Sequence, residues 1–101
     1  MTSKITYMKG TLLDENIECT LGDICKMCNV PAEFIEDMID EGLISPRGAE
    51  PFEWRFTAVE IRRVQVSLRL QRDLRVNLPG CALVLDLLDK IEELHRQSRR
   101  R

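Results

Sequence analysis

The chain contains 101 residues, of which 44% are hydrophobic, and its net charge at neutral pH is −2. This length accommodates one domain around a single core, and the hydrophobic content excludes disorder over most of the chain. The charge excludes a broadly basic nucleic-acid binder, and no apolar run reaches the roughly 20 residues that cross a bilayer. Because the N-terminal sequence also lacks the features of a signal peptide, we expect a cytoplasmic protein with a single domain over residues 1–101.

The N-terminal segment, residues 1–19, is predicted to be a short strand followed by a loop. Residues 3–8 alternate in polarity and contain β-branched and aromatic side chains, which favours a strand. Residues 10–18 mix acidic, amide and apolar side chains without a helical or strand period, which indicates a loop. This loop would deliver the chain to the first helix.

Two short helices joined by a tight turn are predicted between Thr20 and Arg47. Thr20 is followed three residues later by Asp23, which is the spacing of a capping box at the start of a first helix of about two turns. Asn29 breaks the helical pattern, and Pro31 stands where a second helix can begin without losing a hydrogen bond. This pattern predicts a helix-turn-helix.

A small β-wing is predicted after the second helix. Gly42 suits the left-handed end of that helix, and the apolar residues that follow it, Leu43 and Ile44, are expected to return to the core. Residues 52–56 alternate aromatic and charged side chains, which predicts a strand that pairs with residues 43–45 as a hairpin. Residues 20–56 are thus expected to form the helix-turn-helix and the wing.

Two more helices are predicted over residues 57–97. Thr57 and Glu60 have the spacing of a second capping box at the start of a long third helix. Residues 77–80 include a proline and end this helix, so a C-terminal helix begins there. The segment 98–101, a serine followed by three arginines, is expected to form a frayed basic tail. The predicted fold is mainly α, a winged helix-turn-helix with a small β-wing, a long third helix and a C-terminal helix.

The charged positions of the second helix are all acidic. A helix-turn-helix usually places this helix in the major groove of DNA, where phosphates would repel carboxylates. Such a run is most often a solvated helix face, but its single sign also fits a basic protein partner. The acidic residues are Glu33, Glu36, Asp37, Asp40 and Glu41.

The cysteines raise the question of a metal site. Cys25 and Cys28 form a C-x-x-C, and Cys19 lies six residues upstream, but a fourth zinc ligand is missing because the only histidine, His95, is distant. Buried thiols packed as small hydrophobic groups are the simpler interpretation, so we predict no metal and no cofactor. The chain also has no phosphate-binding loop and no nucleophile elbow, which favours a protein that is not an enzyme.

The C-terminal helix carries apolar residues at heptad spacing. This stripe would either pack on the third helix or pair two copies of the chain across a two-fold axis, and the sequence leaves both alternatives open. The stripe consists of Val84, Leu87, Ile91 and Leu94, widened by Leu85 and Leu88.

Four segments carry a resemblance to a known family. They are GLISPR at 42–47, EWRF at 53–56, TAVEIRRV at 57–64 and, most specifically, RLQRDLRVNLPG at 69–80. Together they resemble the bacterial chaperone modulatory protein CbpM family, which belongs to the MerR-like winged-helix group. The resemblance implies a small adaptor that binds the J-domain of a DnaJ-like co-chaperone of the CbpA type. It also implies that the adaptor inhibits the co-chaperone's action with a DnaK-type chaperone and its binding to DNA, with nucleoid association only through the partner.

The acidic second helix would complement the basic residues that a J-domain presents to its chaperone. We therefore predict a partner-binding surface made by Glu33, Glu36, Asp37 and Asp40, with Leu43 and Trp54 as apolar neighbours. The aromatic alternation also permits Trp54 to be part of the core. The resemblance assigns no role to Cys19, Cys25 or Cys28.

The alternative function is that of a MerR-like DNA-binding transcription regulator. Arg55, Arg62 and Arg63 near the predicted wing support it, whereas the acidic second helix opposes it. A purely structural oligomerisation unit is a third possibility, and it would form a dimer without either partner.

Overall fold

The computed structural model describes residues 16–99, most of which lie in four α-helices. The helices are α1 (Leu21–Cys28), α2 (Ala32–Asp40), α3 (Ala58–Leu74) and α4 (Leu78–Arg99). Helix α3 packs against both α1 and α4, and α1 packs against α2. The predicted mainly α architecture is confirmed, while the predicted strand at residues 3–8 lies outside the described residues.

Both ends of helix α1 are capped by hydrogen bonds between residues that are close in the sequence. The Thr20 side chain accepts the N–H of Asp23 at 3.1 Å, and the Asp23 carboxylate accepts the N–H of Thr20 at 3.1 Å, so the predicted capping box is present. Asn29 adopts a left-handed conformation with φ 58°, and the N–H of Val30 donates to the Cys25 carbonyl at 3.0 Å. This Schellman closure turns the chain sharply toward α2.

Helix α2 ends in the same way, at the predicted glycine. Gly42 has φ +80°, its N–H donates to the Ile39 carbonyl at 3.0 Å, and the N–H of Leu43 donates to the Met38 carbonyl at 2.9 Å. Leu43 and Ile44 then enter the core, as the sequence predicted.

The predicted strands of the β-wing are not confirmed. Residues 51–53 form a 3₁₀-helix, and the pairing between the two arms of the described wing is limited to the bridge between Arg47 and Arg55. A strand over residues 52–56 would place Phe52, Trp54 and Phe56 on the same face. The 3₁₀ turn instead exposes Phe52 to solvent, while Phe56 stays buried. The wing is a short hydrogen-bonded loop.

A second bridge joins the starts of α1 and α3. Cys19 and Phe56 exchange two backbone hydrogen bonds, each 2.8 Å long, immediately before the N-caps Thr20 and Thr57. At Thr57 the backbone N–H and the hydroxyl both donate to the Glu60 carboxylate, at 2.7 and 2.6 Å, which confirms the second predicted pair. These two backbone hydrogen bonds hold the N-termini of α1 and α3 next to each other.

The Leu-Pro-Gly segment forms the start of α4. Helix α3 stops at Arg75, whose φ is 57°, and the Asn77 side-chain oxygen accepts the N–H of Gly80 at 2.8 Å as an N-cap. A Cβ at Gly80 would lie 2.7 Å from a Val76 methyl carbon and 3.0 Å from the same Asn77 oxygen. Position 80 therefore requires glycine because there is no room for a Cβ, and not because its backbone has a positive φ.

We expect Gly80→Ala to lower the free energy of unfolding by about 1 kcal/mol, because displacing Val76 and the Asn77 cap outweighs the helix propensity of alanine. Urea denaturation followed by circular dichroism measures this. Gly22→Ala is the matched control, since a Cβ there would meet only the Thr20 hydroxyl oxygen at 3.8 Å. It should leave stability unchanged or raise it, and an equal loss in both variants would contradict the steric explanation.

The core lies where α1, α2 and α3 meet and extends along α3 to the first half of α4. Its members from α4 are Cys81 and Leu85, and no buried residue of α4 follows Leu85. The helix nevertheless continues to Arg99, so Ser98 and Arg99 are helical. The second half of α4 projects beyond the core.

Candidate functional site

Helix α2 presents a continuous acidic face. Its apolar side is anchored by the fully buried Ile35 and Met38, which fixes the rotation of the helix. All four predicted contact residues on this helix are exposed, and their spacing of i, i+3, i+4 and i+7 places them in one row. They are Glu33, Glu36, Asp37 and Asp40.

The charges of α2 are unfavourable for the helix itself. Its last turn contains no basic residue, while Asp40 and the C-cap Glu41 place negative charge at the negative end of the helix dipole. The pairs Glu33–Asp37 and Glu36–Asp40 add repulsion at i, i+4 spacing. Glu33 lies in the first turn, where a carboxylate suits the dipole, but lysine would suit folding better at Asp40 and Glu41. Helix stability therefore does not explain why the acidic row continues into the last turn.

The predicted apolar neighbours of this face occupy different environments. Leu43 is 1% exposed, so its side chain belongs to the core and cannot contact a partner, which corrects the expectation from the sequence. Trp54 is half-buried, and its ring meets that of Phe56 edge to face at a centroid distance of 6.2 Å. Among the aromatic residues of the described range, the one that faces solvent is Phe52, which is 80% exposed.

Arg63 is occupied inside the protein. Its side chain is 16% exposed, its Nε donates to the Leu43 carbonyl, and its guanidinium lies 2.9 Å from the Asp89 carboxylate. A weaker contact of 3.7 Å joins it to Asp86. Arg63 therefore ties the exit of α2 to α4 and is not available to a phosphate.

The four cysteines are free thiols. Burial raises the pKa of the Cys28 thiol from 9.0 to about 11, with smaller contributions from the neighbouring thiols of Cys25 and Cys19. The pKa of Cys25 is also raised, first by burial and then by the carboxylates of Glu33 and Glu36. Within residues 16–99 no group of three or more His, Cys, Asp or Glu residues is arranged to hold a metal.

Helix α4 exposes an apolar stripe that α3 does not cover. Leu85 packs in the core, but the opposite side of the helix carries four large apolar residues that are roughly half exposed or more. They are Leu83 at 62%, Leu87 at 52%, Ile91 at 50% and Leu94 at 60%. We call these four residues the α4 stripe; it shares Leu87, Ile91 and Leu94 with the predicted heptad stripe and contains Leu83 in place of the half-buried Val84. None of the helices in the described range is long and apolar enough to cross a membrane.

Comparison with known proteins identifies the class of protein to which this chain belongs. The profile of the family described as "MerR HTH family regulatory protein" matches residues 19–100, which span the helix-turn-helix, the wing loop, α3 and α4. The chain is 34% identical over 99 residues to the chaperone modulatory protein CbpM of Coxiella burnetii strain Dugway 5J108-111, covering 98% of this chain and 92% of that protein. It therefore belongs to the CbpM family of chaperone modulatory proteins, within the MerR-like helix-turn-helix group.

More distant relatives carry the same name. The CbpM of Pseudomonas entomophila strain L48 is 24% identical over 91 residues, covering 90% of this chain and 87% of that protein. The CbpM of Pseudomonas putida strain W619 is 23% identical over the same length. These proteins are named as modulators of a chaperone and the family profile as regulatory, so the names indicate a protein partner and not a catalytic activity.

Proposed function

We propose that this protein binds the J-domain of a DnaJ-like co-chaperone of the CbpA type through the acidic face of α2 and thereby inhibits the co-chaperone. The observation that carries the proposal is the exposed acidic row on α2, which continues into the last turn, where it opposes the helix dipole. A charge pattern that disfavours its own helix is explained by a complementary basic surface on a partner.

Inhibition would follow from competition. A J-domain offers basic residues to its DnaK-type chaperone, and a carboxylate row that covers them would exclude the chaperone sterically and electrostatically. Masking the same basic surface would also weaken the co-chaperone's binding to DNA, because phosphate contacts supply much of that affinity. We propose the cytoplasm as the site of action, because this is the compartment of DnaK-type chaperones.

Calorimetric titration of the full chain with the purified J-domain tests the proposal. We expect saturable binding that weakens as salt is added, since opposite charges meet across the contact. The alternative function, DNA binding as a transcription regulator, predicts instead that a duplex binds with a steep salt dependence while the J-domain does not. That result would replace our proposal.

We also propose that two copies associate through the α4 stripe. Its residues recur at intervals of three and four, as in a helix that pairs with another helix. The described charged residues of the second half of α4 include both signs, so two copies would repel each other little there. A two-fold axis makes the stripe self-complementary, because each copy supplies the same residues.

A further inference from the structure

The tip of the wing loop holds an aromatic side chain in water. Phe52 is 80% exposed, the highest value among the large apolar residues that the structure describes as exposed. Nearby in the loop, the half-buried Trp54 packs its ring against the buried Phe56, whereas the ring of Phe52 is exposed. Phe52 makes no contribution to the core.

The loop that carries Phe52 is closely constrained. Arg47 and Arg55 exchange backbone hydrogen bonds of 3.2 and 2.9 Å at its base. At its tip the Glu53 carboxylate accepts the N–H groups of Ala49 and Glu50, at 3.2 and 3.3 Å, and the Glu53 N–H donates to the Glu50 carbonyl at 2.7 Å.

Glycine and proline remove the remaining freedom of the loop. Gly48 has φ +115°, and a Cβ there would lie 2.6 Å from the Glu53 carbonyl oxygen, so the two arms of the loop are in close contact. Pro51 begins the 3₁₀ turn with a fixed φ. The backbone that carries Phe52 is therefore constrained before binding, so burying the ring in a partner costs little conformational entropy for ordering the loop.

The charges around the tip indicate a protein partner. Glu50 and Glu53 balance Arg47 and Arg55, and Arg47 already forms an ion pair with Glu18. Single-stranded nucleic acid stacks on aromatic side chains within a positively charged groove, and this tip lacks such a field. An apolar pocket on a protein fits a neutral tip with one protruding ring.

We propose that Phe52 is the apolar anchor of the partner-binding surface and inserts into an apolar pocket of the J-domain. This inference rests on the proposed function. It assigns to Phe52 the role that the sequence had offered to Leu43 and Trp54. Steering by the acidic face and anchoring by Phe52 would then be separable, because salt screens the first and leaves the second unchanged.

Titration of the J-domain with the Phe52→Ala variant of the full chain tests the anchor. We expect affinity to fall at least about tenfold, mainly through faster dissociation, and by the same factor at low and high salt. The melting curve should match that of the wild type because the ring is exposed. Phe52→Leu should recover part of the affinity.

Leu74→Ala is the matched control, since Leu74 is 68% exposed at the far end of α3 and should not affect binding. If Phe52→Ala binds as tightly as the wild type, the anchor is wrong and the proposed function stands. If the wild type itself does not bind the J-domain, both proposals fail. A loss confined to nucleic-acid binding would also overturn the anchor.

Discussion

Changing Glu36 and Asp40 together to lysine is expected to weaken J-domain binding at least about a hundredfold. Both side chains are exposed and lie one turn apart on α2. Each substitution removes an attraction to a basic surface and adds a repulsion, and the pair reverses the sign of the chain's small net charge. Most of the change should appear in the association rate at low salt and shrink as salt is added.

The same substitutions should not unfold the protein. Neither residue has a described hydrogen bond or ion pair that its loss would break, and lysine at position 40 would complement the helix dipole. We expect the free energy of unfolding to change by no more than about 0.5 kcal/mol, or to rise. Thermal denaturation measures this and separates a binding defect from a folding defect.

Controls for the charge reversal are available on the same chain. Glu36→Gln with Asp40→Asn removes the attraction without adding repulsion, so its loss of affinity should be intermediate. Glu92→Lys on α4 alters the net charge as much as Asp40→Lys does, and it should leave binding almost unchanged. If Glu92→Lys weakened binding as much as Asp40→Lys, total charge and not the α2 face would govern association.

Ile91→Glu is expected to convert the proposed dimer into a monomer. Ile91 lies in the middle of the α4 stripe, and in a symmetric pair the substitution occurs twice, so two buried apolar side chains are lost and two carboxylates are desolvated. Because half of the Ile91 side chain is already covered in the single chain, the loss of burial in the interface alone costs about 1 kcal/mol per side chain. Light scattering coupled to size-exclusion chromatography should report the change as a halved mass.

Gln97→Glu introduces the same charge on α4 outside the stripe and should leave the mass of the dimer unchanged. Because Ile91 is half exposed in the isolated chain, Ile91→Glu should retain its helical circular dichroism signal. A wild-type chain that is monomeric at every concentration, or an Ile91→Glu variant that remains dimeric, would show that α4 does not pair two copies.

The acidic part of the proposed partner-binding surface could be predicted from the sequence, whereas its apolar part could not. The acidic row on α2 follows from helical spacing alone, since Glu33 and Asp40 must share a face once the helix is assigned. The assignment of Leu43 to the partner surface was wrong, because the Schellman turn at Gly42 carries it into the core. The exposure of Phe52 was missed, although Pro51 and the Glu50–Glu53 spacing are features of a helical turn and not of a strand.

Some features of this protein are determined by short-range sequence. The caps at Thr20, Asn29, Gly42 and Thr57 depend on side-chain oxygens that reach the nearest backbone N–H groups, or on residues that tolerate positive φ. The acidic row on α2 likewise follows from the helical period. These properties require only contacts between residues a few positions apart. The ends of these helices and the negative charge of the α2 face can therefore be predicted from the sequence.

Other features depend on which elements meet in space. Only the packed fold shows that Arg63 is held by Leu43 and Asp89, that α3 covers one side of α4 and leaves the α4 stripe open, and that the wing is a loop. Each depends on contacts between residues that are distant in the sequence, or on competition between a strand and a turn that tertiary packing decides. Burial is a property of the assembled core, so only the tertiary structure distinguishes the buried Leu43 from the exposed Phe52.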